Sequence, residues 1–343
     1  YLSLANDPIL KEAAIHAIEK FGVGAGASRL ICGSLAPFHE LEESLANFKQ
    51  TEAALSFSTG YATNIGTICA LLGKNDIVIL DKLVHASIVD AAKLSCAKIR
   101  VFAHSDLNDL EDKLKWAKAE SEKRKAKTLV VTESFFSMDG DAAPLREIVE
   151  LKNKFGAWLM VDEAHATGII GKNGGGLADE LDIASQIEIQ MGTLGKALGT
   201  SGGYICGSRR LIDLLINKAR SFIFSTAPIP AAAAAAVAAI NFVQSKSGEI
   251  RRKILHKRID QFYSALRIPC SAIQSAITPI ILGDEAKAVE AATKLRDQNI
   301  FVPAIRYPTV ARGKARLRIT LTAAHSTENV SQLVSSLAPL LHE

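Results

Sequence analysis

The chain has 343 residues, enough for a large buried core and, at about 100–200 residues per domain, for two domains or three. Hydrophobic residues make up 48 %, charged residues 22 % and aromatics 6 %, a globular composition that excludes a disordered chain or a coiled-coil rod. Lys and Arg number 40 against 36 Asp and Glu, and this net +4 is spread along the chain, so no basic stripe points to nucleic acid.

In chain order, the first patterned segment runs from Gly22 to Arg29, where three glycines mimic a dinucleotide fingerprint. An apparent helix precedes them instead of the strand that such a fingerprint requires, so the segment is expected to be a mobile substrate-side loop. Residues 57–64 (Phe-Ser-Thr-Gly-Tyr-Ala-Thr-Asn) open a helix with hydroxyls and a glycine. Apolar, β-rich runs follow at 76–80, 98–102, 128–132, 157–161, 187–191 and 203–206, with helices expected over 107–124 and 145–155. Strands alternating with helices predict an α/β fold with a doubly wound, mostly parallel sheet, which binds ligands at the carboxyl ends of its strands. After a helix over 231–246 the pattern changes. Helices over 250–266 and 287–298 flank strands at 277–282, 300–304 and 315–321, which predicts a smaller C-terminal α+β domain. The expected division is an incomplete N-terminal segment over 1–35, a large domain over 36–240 and a small one over 241–343.

Five cysteines (Cys32, Cys69, Cys96, Cys206, Cys270) form no C-x-x-C pair, which suits reduced, buried thiols in the cytoplasm and no metal site. The longest apolar run, 227–240, is interrupted by Pro228 and Pro230 and falls short of the roughly 20 residues that span a bilayer, so no membrane association is expected. The sequence opens at Tyr1 without a methionine or leader pattern, as a truncated chain would.

The chemistry concentrates after the strands. Lys196 stands in Gly192-Thr-Leu-Gly-Lys-Ala-Leu-Gly-Thr-Ser-Gly-Gly203, and a lysine in a tight, glycine-rich turn can form a Schiff base with an aldehyde. A bland alternative is a tight loop carrying a solvated lysine. An aldehyde cofactor that bears a phosphate needs a cradle, and the helix opened by Gly60 and Tyr61 presents free backbone N–H groups. Asp162, at the end of an apolar strand in Asp-Glu-Ala-His165, can keep a pyridine nitrogen protonated, so that the ring of pyridoxal 5'-phosphate becomes an electron sink; His165 could bond the ring hydroxyl. His85, just past another strand, could stack on the ring face.

The series His39-Glu-Leu-Glu42, Ser58-Thr-Gly-Tyr-Ala-Thr-Asn64, His85-Ala-Ser87, Glu133-Ser-Phe-Phe-Ser-Met-Asp-Gly140, Asp162-Glu-Ala-His165, Thr193-Leu-Gly-Lys196 and Arg316-Leu-Arg-Ile-Thr320 resembles, in order and over essentially the whole chain, the α-oxoamine synthases, pyridoxal-phosphate enzymes of fold type I. The resemblance implies that Lys196 joins the cofactor aldehyde, that Asp162 pairs with the pyridine nitrogen, and that His165 and Ser137 reach the phenolic oxygen. It implies that Gly60, Tyr61 and Thr193 hold the phosphate, with Ser225 or Thr226 supplied by a second subunit of a homodimer. His85 would stack on the ring and meet the substrate, Glu133 would lie near the cofactor, Arg318 would bind the amino acid carboxylate and Thr309 would touch the acyl substrate. Within the family the segments around Ser225–Pro228, Pro279–Gly283 and 302–325 are most similar to members that condense L-alanine with a pimeloyl thioester, carried on coenzyme A (pimeloyl-CoA) or on an acyl-carrier protein. Tyr307, Ala311 and Lys314 depart from the residues usual there. Sister members that use glycine share every cofactor residue. A catalytically silent partner subunit would keep only the fold, and the joint presence of Lys196, Asp162 and His165 argues against it.

Overall fold

A computed structural model of the chain describes residues 1–268 and 273–341; Cys270 lies outside the described residues. The chain divides into a larger unit, Leu4–Ser134 with Ala143–Glu249, and a smaller one, Tyr1–Ser3 with Phe135–Ala142 and Ile250–Glu343.

The larger unit is built on strands β1 (Ala53–Phe57), β2 (Ile77–Asp81), β3 (Lys98–Phe102), β4 (Thr128–Glu133), β5 (Trp158–Asp162), β6 (Ile189–Thr193) and β7 (Gly203–Gly207). They form one sheet in the order β1-β7-β6-β5-β4-β2-β3, in which β7 alone runs against its neighbours. Helices α1 (Pro8–Phe21), α2 (Ala36–Phe48), α3 (Gly60–Leu71), α4 (Ala86–Leu94), α5 (Leu107–Arg124), α6 (Leu145–Phe155), α7 (Leu177–Glu180), α8 (Arg209–Lys218), α9 (Arg220–Ile223) and α10 (Pro230–Gln244) surround it. Alternate residues of the strands serve opposite faces. Leu55, Val78, Leu80, Leu129, Val131, Met160 and Ile205 pack under Ile68, Ile88, Ala91, Ile212 and Leu215 of α3, α4 and α8. The opposite register, Ile79, Val130, Leu159 and Val161, is equally buried, and α5 and α6 pack on that side of the sheet. Burial on both faces is why these strands are unbroken apolar runs without polar alternation.

Each helix boundary has a local cause. Asp7 caps α1 by accepting the Ile9 N–H, Pro8 supplies the fixed φ of a first turn, and Gly22 ends the helix at φ 79°. Gly156 closes α6 at φ 69°, a left-handed conformation that glycine adopts without a Cβ penalty.

The smaller unit carries an antiparallel sheet, β8 (Ile277–Gly283), β9 (Ala304–Ile305) and β10 (Ala315–Thr320), with β10 in the centre. Its helices are α12 (Glu285–Arg296), α13 (Thr327–Leu337) and the residues from Ile250 onward of α11 (Lys246–Leu266). Buried Arg316 of β10 binds Asp139 at 2.7 Å and the Met138 carbonyl at 3.0 Å, which ties segment 135–142 into this unit.

Three expectations are corrected. The strand expected over 300–304 shrinks to Ala304–Ile305, because Pro303 has no N–H and its carbonyl only accepts from Arg318 N. The helix expected to run to residue 246 stops at Gln244, and α11 starts at Lys246, since Ser245 is extended (φ -79°, ψ 166°). Among the described cysteines only Cys206 is buried; Cys69 is half-buried, Cys32 lies exposed in the loop after α1, and Cys96 is turned outward by a left-handed backbone (φ 60°) between α4 and β3. Among the described residues no helix is long and apolar enough to cross a membrane.

Candidate active site

The parallel strands end side by side in polar residues: register pairs Glu133 with Asp162 across β4 and β5, and Asp162 with Met191 across β5 and β6. Asp162 is 5 % exposed. Its Oδ1 accepts from Ala164 N at 3.0 Å and its Oδ2 from Asn64 Nδ2 at 3.3 Å, so the carboxylate is held on both oxygens. One turn later His165, also buried, meets Lys196, whose Nζ donates to Nε2 at 2.9 Å. The strand-end Asp-Glu-x-His and the glycine-rich lysine turn, 31 residues apart in sequence, therefore converge.

Lys196 is half-buried, with its turn closed by Thr200 N on the Leu194 carbonyl (2.9 Å) and by Thr193 Oγ1 on the Gly202 carbonyl (3.0 Å). Two glycines permit close packing here. A Cβ on Gly192 would lie 2.3 Å from the Tyr204 hydroxyl, and one on Gly203 would lie 2.8 Å from the Gly60 Cα. Gly203 thereby lets the first turn of α3 settle against the sheet, beside Thr193. Thr59 caps that helix by accepting from Ala62 N at 3.0 Å, while Tyr61 reaches Asp90 of α4 at 2.5 Å. The α3 amino terminus, with its unpaired amides and dipole, is an anion seat. Half-buried Gly60 and exposed Tyr61 stand at it.

His85 caps α4: its Nδ1 accepts from Ser87 N (3.2 Å) and contacts Ser87 Oγ (2.7 Å). Partial withdrawal of the imidazole from water lowers its pKa, and Lys196 acts in the same sense, against Asp162 and Asp90. Glu133 is buried and accepts from His85 N at 2.5 Å. Burial pushes its pKa well above the glutamate range; Asp162 adds to this, and Lys196 opposes it. A carboxyl whose pKa is raised by folding destabilises the fold progressively as pH climbs from the unfolded value, about 4.3, to the folded one. Glu133→Gln, which retains an acceptor for His85 N, is expected to lose that decline. Melting temperature against pH checks this: over that window wild type should fall relative to the variant, and parallel curves would refute it.

Of the other expected residues, Ser225 is half-buried and Thr226 exposed, with Thr226 bridged to Ser28. In the smaller unit Arg318 donates through Nε to the Ser137 carbonyl (2.7 Å) and through Nη1 to Thr320 Oγ1 (2.8 Å), and Thr309 is exposed in the turn following Arg306. Sequence reasoning gave no role to three residues that this geometry brings forward. Asn64 and Ser87 lay inside quoted motifs, and the signal was a polar residue on an apolar, buried helix face. Lys49, 3 % exposed, pairs with fully buried Glu163 and with the Gly175 carbonyl; nothing local to it in sequence marks it. Glu163 Oε1 also accepts from Ala178 N at 2.9 Å, so this pair fixes the residue next to Asp162.

A lysine amine, a carboxylate at a strand end, two imidazoles and a helix amino terminus are gathered at the carboxyl ends of the strands, where a sheet of this kind presents its ligands. The chain belongs to the aminotransferase class I and II family, whose model matches residues 1–337. A relative from Geotalea daltonii, named 8-amino-7-oxononanoate synthase, is 46 % identical over 341 residues, covering 98 % of this chain and 86 % of that one. An 8-amino-7-oxononanoate synthase structure from Francisella tularensis matches with a TM-score of 0.83 at 29 % identity, over 100 % of this chain and 95 % of that one. A serine palmitoyltransferase variant from S. paucimobilis, solved with a PLP–myriocin aldimine, matches with a TM-score of 0.93 at 31 % identity, over 99 % and 85 %.

Proposed function

We propose that this chain is a pyridoxal-phosphate-dependent C-acyltransferase, an 8-amino-7-oxononanoate synthase of biotin synthesis, which joins L-alanine to a pimeloyl thioester and releases carbon dioxide and the thiol. The observation that carries the reading is the meeting of Lys196, His165 and the doubly anchored Asp162 at the ends of β5 and β6, together with relatives of that name over nearly the full chain. The residues present fit the cofactor: Lys196 offers the amine, Asp162 the charge for a ring nitrogen, and Gly60, Tyr61 and Thr193 the phosphate seat.

Bound pyridoxal phosphate supplies an aldehyde that takes the amino acid nitrogen and a ring that absorbs the electron pair left on Cα. Lys196 would take the Cα proton onto Nζ. Cα would then attack the thioester carbonyl, forming the C–C bond as thiolate departs, and after the original carboxylate leaves as carbon dioxide Nζ would return the proton to the electron pair left on Cα. His165 would hold the phenolic oxygen, and His85 would cover the ring face and donate from Nε2 to the acyl oxygen. The carboxylate role falls to Arg318, in support of which its guanidinium is already oriented by Ser137 and Thr320. Ser137, Glu133 and Thr309 keep the roles that the resemblance implies.

The active form is a homodimer with Ser225 or Thr226 crossing between subunits, and the cytoplasm is its compartment. In support, Ala227 N binds the Ala27 carbonyl at 3.0 Å, and around that pairing Leu30, Ile31, Phe224 and Ile229 expose apolar surface. Sedimentation of the loaded protein should give twice the mass of one chain. Assay of alanine against glycine, each with pimeloyl, acetyl and succinyl thioesters of coenzyme A and with pimeloyl-acyl-carrier protein, tests the reaction. Turnover should require alanine and the pimeloyl group, whereas preference for glycine with a short acyl group would move the chain to a sister activity.

A further inference from the structure

The side chains behind the site form a single chain of hydrogen bonds whose direction is set at its two ends, by the Asp162 carboxylate and by the Ser87 backbone N–H. Asp162 Oδ2 can only accept, so the atom of Asn64 that faces it at 3.3 Å is Nδ2. The second hydrogen of that nitrogen goes to Ser87 Oγ at 2.9 Å and occupies one of its lone pairs, which turns the hydroxyl proton towards His85 Nδ1 at 2.7 Å. The backbone N–H of Ser87, which can only donate, is aimed at the same Nδ1 from 3.2 Å. Nδ1 therefore carries a lone pair, and the imidazole proton sits on Nε2.

Asn64 is 1 % exposed, and its Oδ1 has no hydrogen-bond partner. Turning the amide over would give that oxygen the Ser87 hydroxyl as a donor, but would set it against the Asp162 carboxylate. The orphaned oxygen is thus the consequence of an amide held in one orientation by the charge on Asp162.

We infer that Asn64 is a positioning residue which, through Ser87, transmits the charge of Asp162 into the tautomer of His85. One amide then registers the carboxylate assigned to the ring nitrogen with the imidazole assigned to the ring face, and presents His85 Nε2–H as a donor towards the substrate. The inference about catalysis rests on the cofactor reading; the tautomer does not. Around His85 the other charged groups are Asp90 and Lys196, and Glu133 holds its backbone N–H.

The test starts with cofactor-free protein carrying 15N-labelled histidine. In wild type the His85 nitrogen shifts should report the Nε2–H form. Ser87→Ala, which leaves Nδ1 only the longer bond from the Ser87 N–H, and Asn64→Leu, which lets the Ser87 hydroxyl turn, should each show a measurable Nδ1–H fraction absent from wild type, and Ser87→Thr, which keeps the hydroxyl, should restore the Nε2–H form. In the loaded enzyme Asn64→Leu and Ser87→Ala should still bind pyridoxal phosphate but lose about tenfold or more in kcat, the size carried by groups that orient functional imidazoles, with a smaller change in the KM for alanine. An unchanged tautomer in Asn64→Leu, or a Ser87→Thr protein indistinguishable from Ser87→Ala, overturns the inference. If Asn64→Leu does not fold, the two Ser87 variants decide alone. Failure of wild type to bind the cofactor would sink the functional reading and leave the tautomer result standing.

Discussion

Lys196→Ala is expected to leave a folded, colourless protein with no measurable turnover. The amine has two duties in the proposed reaction, as the group that first holds the aldehyde and as the base that takes the Cα proton. General-base removal alone costs about 10²–10⁴-fold, and loss of the covalent attachment adds to it. Stability should change little, because Lys196 is only half-buried and its amine meets the adjacent His165 imidazole at 2.9 Å. The visible absorbance of protein mixed with pyridoxal phosphate and the rate of thiol release from pimeloyl thioester are the two measurements. Turnover near the wild-type rate would remove Lys196 from the centre of the reaction. Loss of turnover with wild-type absorbance would separate its two duties and assign the attachment elsewhere.

The largest effect on stability is expected at the pair Lys49–Glu163, which no solvent reaches. Charges in such a place are compensated only by each other and by the groups that solvate them, here the Gly175 carbonyl on the lysine and Ala178 N on the glutamate. Lys49→Met deletes one member and leaves the other buried with a single hydrogen bond, a change that costs about 3–5 kcal/mol. At about 2–4 °C of melting temperature per kcal/mol for a unit of this size, Lys49→Met should melt roughly 6–20 °C lower. Adding Glu163→Gln should recover much of the loss, since an uncharged amide demands far less compensation. A double-mutant cycle by denaturant unfolding measures the coupling. A Lys49→Met protein as stable as wild type, or a double variant weaker than both singles together, would contradict this account. The functional consequence follows from sequence adjacency. Glu163 stands between Asp162 and Ala164, whose N–H anchors Asp162 Oδ1, so a disturbed Glu163 should displace the carboxylate that the proposed reaction assigns to the ring nitrogen.

Local patterns account for much of what could be foreseen. The run at 98–102 became β3, an edge strand with Arg100 and Val101 exposed that is legible only from its β-branched and aromatic residues. The run at 128–132 became most of β4, because a strand covered on both faces must be apolar throughout and announces itself without reference to anything distant. Strand β1 carries the same burial but was missed: Ala-Ala-Leu-Ser-Phe is short and small, and its place comes from pairing antiparallel to β7, 150 residues downstream. The strand expected over 300–304 failed at Pro303 for want of a donor. The candidate site divides similarly. Lys196 among its glycines, and Asp162 and His165 at a strand end, are legible because their chemistry depends on local backbone. Asn64 and Ser87 sat in plain view within motifs, yet their function lies in bonds to residues 98 and 23 positions away.

By itself the sequence determined the α/β class, the large sheet unit and the candidate site groups, since periodicity, caps and glycine-rich turns act over a few residues. Tertiary structure alone decided the strand order, the meeting of Lys196 with His165, the burial of Lys49 against Glu163 and the direction of the hydrogen bonds from Asp162 to His85. Those depend on distances between segments far apart in the chain, and no local pattern encodes a distance that only the packed sheet creates.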